Sequence, residues 1–93
     1  MITILEAQLD FTTSSLSTVV VPVDSEIVAA RLLQKAEDEV FMLWLLADET
    51  SPLVHDRKFA LLITGQPLPG NLKKYIGTFL MGTQYKHVVE LEM

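Results

Sequence analysis

Two histidines stand beside carboxylates in this 93-residue chain: His55 precedes Asp56, and Glu90 follows His87 by three residues. General-base work or metal binding needs imidazole nitrogens and carboxylates that converge on one point. On a regular strand His87 and Glu90 point to opposite faces, because their separation is odd. His55 follows Pro52 in a polar stretch, where adjacency to Asp56 orients nothing. The expectation is therefore no catalytic set and no metal site. His55 reads as a solvated turn residue and His87 as a half-buried strand residue, and a small hydrolase using His87 with an acid is the least favoured reading. Gly65-Gln66-Pro67-Leu68-Pro69-Gly70-Asn71-Leu72-Lys73 sets two glycines at P-loop spacing. A P-loop needs Lys and Ser/Thr directly after the second glycine. Here Asn71-Leu72 intervene and the two prolines carry no N–H, so an NTPase is rejected. There is no cysteine, which excludes disulfides, thiolate metal sites and cysteine nucleophiles. No cofactor is implied, and the chain reads as a non-enzyme.

Binding chemistry is better represented. Arg57, Lys58, Lys73, Lys74 and Lys86 converge if segments 58–64, 75–81 and 84–92 pair as strands. With Tyr75, Thr78, Tyr85 and His87 they would form a cradle for an anionic, nucleotide-sized ligand. The plainer reading is a scatter of solvated lysines that keeps an apolar edge soluble. Trp44, with Phe41 and Met42, lies in the most apolar segment. Those residues suit a core or subunit interface, or a platform on which a ring stacks. Net charge is −5, which gives no long-range attraction to nucleic acid or to an anionic membrane. Residues 1–50 hold nine acids and two bases, and residues 51–93 five bases and three acids.

The elements that must position these residues follow from composition and pattern. Length allows one domain, 1–93. Apolar residues are 49 %, too many for a disordered chain, yet no run reaches the ~18–20 needed to span a bilayer. The first residues lack the basic-then-apolar pattern of a secretory signal. A small unstapled apolar chain either packs densely or buries its surplus against copies of itself, so a homo-oligomer is expected. Leu5, Ala7, Leu9 and Phe11 alternate with polar residues as a half-buried strand. Thr18–Val21 is a strand that Pro22 ends. Lys58–Thr64, Tyr75–Met81 and Tyr85–Met93 are three more, the last two joined at Gly82-Thr83. Residues 24–48 fit either a helix capped at Asp24 or Ser25, or two strands, Glu26–Gln34 and Glu39–Ala47. Those strands would hinge at Lys35-Ala36-Glu37-Asp38, which has neither the glycine nor the asparagine that a tight hairpin prefers.

Five segments run in order along the chain: Leu43-Trp44-Leu45-Leu46-Ala47-Asp48, Arg57-Lys58-Phe59, Thr64-Gly65-Gln66-Pro67-Leu68, Tyr75-Ile76-Gly77-Thr78 and Tyr85-Lys86-His87-Val88-Val89-Glu90. Together they resemble an uncharacterised family of small proteins encoded mainly by tailed phages and prophages. Gln66 stands where that family usually has histidine, and Lys86 where it usually has tryptophan. The resemblance implies a mostly antiparallel β domain and favours two strands over 24–48. The expected fold is thus mainly β, a single small antiparallel domain, barrel or sandwich-like, with a short helix within 25–38 as the alternative. The expected role is a phage-borne, non-enzymatic binding protein of the host cytoplasm. It would occupy a host protein or a small nucleotide-like signal and so counter a defence pathway. The other class is a structural or accessory phage protein whose apolar surface forms a homo-oligomer interface.

Overall fold

The computed structural model describes residues 1–36 and 38–92. Seven strands follow in order: β1 (Ile2–Leu9), β2 (Leu16–Pro22), β3 (Glu26–Lys35), β4 (Asp38–Asp48), β5 (Val54–Ile63), β6 (Leu72–Met81) and β7 (Gln84–Leu91). They form two antiparallel sheets, ordered β1-β4-β3 and β2-β5-β7-β6. Neither sheet closes on itself, so of the two β architectures expected, the sandwich-like one is found. Among the described residues there is no helix. The short helix weighed for 25–38 is corrected: Glu26–Lys35 is β3, laddered along β4. Its helix-forming residues are overridden because the side chains along it, Val28 at the register shift excepted, gain cross-strand partners.

The eight-residue apolar run of β4 divides by period two. Phe41, Leu43, Leu45 and Ala47 are buried, while Met42, Trp44 and Leu46 face away from the second sheet. The core between the sheets joins Leu9, Val21, Ile27, Phe41, Leu43, Leu45, Phe59 and Val88. Phe41 meets the edges of Phe11 and Phe79 at centroid separations of 5.5 and 5.2 Å, geometry that aromatic quadrupoles favour. Phe41 is therefore corrected from an interface residue to a core one, at 4 % exposure. The first strand begins at Ile2 and ends at Leu9, so Phe11 packs from the connection rather than from the strand. Glu37, expected in the hinge, and Met93, expected in the last strand, lie outside the described residues.

A second apolar cluster, Ala60, Leu62, Val89 and Leu91, is buried on the opposite face of the four-stranded sheet. The Gly65–Asn71 loop closes over that face. Asn71 accepts from the Glu92 amide, Gln66 closes a turn with Ile63 through both backbone and side chain, and Gly70 leaves room beside the Leu91 side chain.

Candidate functional site

Polar side chains gather in two places. The first is at one end of the space between the sheets. Arg57 on β5 and Glu90 on β7 both point inward, and the guanidinium grips the carboxylate through Nε and Nη2, each at 2.6 Å. Nη1 donates to the Ser25 carbonyl at 2.6 Å. Planar, two-point pairing is the strong form of this contact. Glu90 is 1 % exposed and Arg57 7 %. Burial pushes the Glu90 carboxyl up, but the hydrogen bonds and charge of Arg57, with Lys73 at 3.6 Å, outweigh it and hold the group below the ordinary glutamate range. His55, expected in a solvated turn, instead lies on β5 beside this pair, half-buried. Its Nε2 is buried without a hydrogen-bond partner. These residues line a cleft of about 440 Å3 whose walls carry both signs, Arg57 and Lys73 with Asp56, Glu90 and Glu92, beside His55.

The second gathering is on the outer face of the four-stranded sheet. His87 pairs across the ladder with Thr78 on β6 and Leu62 on β5. Its Nδ1 lies 2.8 Å from the Tyr75 hydroxyl and 3.1 Å from Thr78 Oγ1, and its Nε2 lies 2.7 Å from Thr64 Oγ1. Tyr75 and Thr78 also hydrogen-bond to one another. Their odd spacing would put them on opposite faces of a regular strand. The register shift between Tyr75 and Gly77 adds a residue at Ile76 and returns Thr78 to the face of Tyr75, the way a bulge re-aims a side chain. Beside this set lies an apolar recess of about 280 Å3, floored by Leu62, Val89 and Leu72 and covered by Leu68 of the loop.

The nine residues expected to bind are thus divided. Tyr75, Thr78 and His87 come together, with Tyr85 two positions along the same face. Arg57 does not join them: it is committed to Glu90. Lys73 and Lys74 stand at the start of β6 by the inner pair, Lys58 lies opposite Leu91 and Thr18, and Lys86 opposite Ile63 and Phe79. The single five-base cradle is therefore not formed. Alternation along β5 and β7, and the bulges of β6, send the bases to different faces. As the odd spacing required, Glu90 points away from His87, which leaves that imidazole with hydroxyl partners and no carboxylate. Thr64 was missed because its role depends on the strand end meeting β7. The one signal for Arg57 and Glu90 was their place among apolar residues on inward-facing positions.

The family described as a domain of unknown function, DUF7352, matches residues 1–93. The chain belongs to the DUF7352 family. No curated protein and no solved structure matches it. Within this DUF7352 domain no group of three His, Asp or Glu side chains among the described residues is placed to hold a metal ion, and no helix among them is long and apolar enough to cross a membrane.

Proposed function

We propose that the chain is a non-enzymatic binding protein whose site is the outer face of the four-stranded sheet at His87. The observation that carries this reading is one pairing of features: an imidazole held by three hydroxyls, and an apolar recess directly beside it. Small-molecule sites combine an apolar wall with a few fixed polar groups. The ligand class that suits it is small and nucleotide-like. A flat ring lies against Leu62, Leu72 and Val89 with the Tyr75 ring alongside, and polar groups exchange hydrogen bonds with Thr64, Thr78, Tyr75 and His87. Among the described residues no lysine lines the recess, so an anionic group would be met by hydroxyl and imidazole donors.

The motif resemblance to phage- and prophage-encoded chains supports a setting in the host cytoplasm, where holding such a signal, or a host protein that uses it, would interfere with defence. The test is a titration of isotope-labelled protein with nucleosides, linear nucleotides and cyclic nucleotides. A binder should move the resonances of Thr64, Tyr75, Thr78 and His87 and saturate at micromolar concentrations. His87→Ala should weaken that binder about tenfold or more while the remaining spectrum keeps its dispersion, the scale of one or two lost hydrogen bonds. If no member of the panel shifts these resonances, the reading fails.

A further inference from the structure

A sheet edge presents unpaired N–H and C=O groups, and proteins blunt such edges with proline, lysine, bulges or short strands. Four strands here have one neighbour only: β1, β3, β2 and β6. Three are blunted. The β2 edge ends in Pro22. The β3 ladder breaks between Ile27 and Ala29, and β3 carries Arg31. The β6 ladder breaks twice and carries Lys73-Lys74 directly after its first residue. β1 has no proline, lysine, arginine or bulge, and Glu6 is its single charge. Its eight residues, Ile-Thr-Ile-Leu-Glu-Ala-Gln-Leu, run in unbroken register with β4 from Ile2 to Leu9. Both ends are pinned: the N-terminal ammonium lies 3.2 Å from Asp48, and the Asp10 amide donates to Ser17 Oγ at 3.0 Å. Ile2 and Ile4 on its outer face are 66 % and 62 % exposed.

We propose that β1 is the seam of a twofold dimer, pairing antiparallel with β1 of a second copy to give one six-stranded sheet. This goes beyond the ligand reading and uses the opposite layer of the molecule. The occupant is a copy of the same chain because β1 is complementary to itself. For the two sheets to be continuous, inward-facing residues (Thr3, Leu5, Ala7) must meet inward-facing residues. That leaves few registers. Centring on Glu6 sets two glutamates directly opposite, which is unfavourable. Centring on Ile4 shortens the seam. Centring on Leu5 pairs residues 2–8, puts Ile4 opposite Glu6 of the partner subunit and Ile2 opposite Gln8 of the partner subunit, and moves the two Glu6 side chains from directly opposite to diagonal. The two Ile4 side chains become diagonal neighbours about 7–8 Å apart, extending an apolar stripe that already includes Leu46, the cross-strand partner of Ile4.

Sedimentation of the intact chain should give twice 10.4 kDa. Ile4→Glu places a glutamate on a largely exposed edge position, directly opposite Glu6 of the partner subunit, so the far-ultraviolet spectrum should be unchanged while the dimer dissociates at least tenfold more readily. A monomer at every concentration, or a dimer indifferent to Ile4→Glu, overturns the proposal. The register is tested separately, since the chain has no cysteine of its own. Ile4→Cys and Glu6→Cys proteins, mixed and mildly oxidised, should form the mixed disulfide in preference to either symmetric one, because directly opposed residues fall within disulfide reach. Symmetric disulfides in excess, or no mixed product, overturn it.

Discussion

Arg57 and Glu90 concentrate the largest residue-level risk in the molecule. Both charges are out of water, and each is tolerated only because the other is present. Glu90→Gln leaves the guanidinium without a countercharge, and stability should fall by about 3–5 kcal/mol, a large part of the ~5–15 kcal/mol typical of a domain. Arg57→Met with Glu90→Leu removes both charges and should recover most of that loss, short of the bond to the Ser25 carbonyl, as read by urea denaturation. The pair also fixes a pH dependence. The folded Glu90 carboxyl titrates below its ordinary value of 4.5. Its contribution is therefore fully present above about that pH and is lost as pH falls through the lower folded value. The stability gap between the wild-type chain and Glu90→Gln should be constant near neutrality and narrow in acid. A gap that widens in acid would contradict the assignment.

At the scale of elements, the turns show how closely backbone demands and residue types agree. Gly82, between β6 and β7, has φ +65°, a conformation glycine enters freely. The β3–β4 turn asks for the same region at Ala36, φ +55°, where an L side chain crowds the following carbonyl at about 1–2 kcal/mol. Ala36→Gly should therefore stabilise the domain by about 1 kcal/mol, after the loss from added freedom in the unfolded chain. Thermal unfolding at neutral pH checks this, and a lower midpoint would refute it. The same turn explains why residues 24–48 were hard to read. Alternation in β1 and β7 announced strands, and Pro22 announced a strand end. But the unbroken apolar run of β4 hides its period, and Ala36 does not advertise a hairpin. The candidate site was legible only in part for a related reason. Tyr75, Thr78 and His87 were recognisable by type, yet their common face depends on a bulge at Ile76, which no alternation rule reveals. The lysines were legible as charges but not as directions, since a shift of one residue reverses a face.

Across the whole molecule, two sheets share one core, and nature has placed a separate reporter on each. The single tryptophan, Trp44, lies on the outer face of the three-stranded sheet, and both tyrosines, Tyr75 and Tyr85, lie on the outer face of the four-stranded one. Neither sheet can bury its apolar face alone. Leu43 and Leu45 of one need Phe59 and Val88 of the other, so the layers should unfold as one cooperative unit. Trp44 fluorescence and the near-ultraviolet tyrosine signal should then give a single denaturant midpoint. Phe41→Ala, which removes the ring packed against Phe11 and Phe79, should shift both signals together by about 3–5 kcal/mol. Were Phe41 at a surface between copies, the same substitution would change association and leave the monomer's stability nearly untouched. Were the sheets independent, Trp44 would respond and the tyrosines would not. Coincident loss of both signals is the outcome that a core shared between the layers requires.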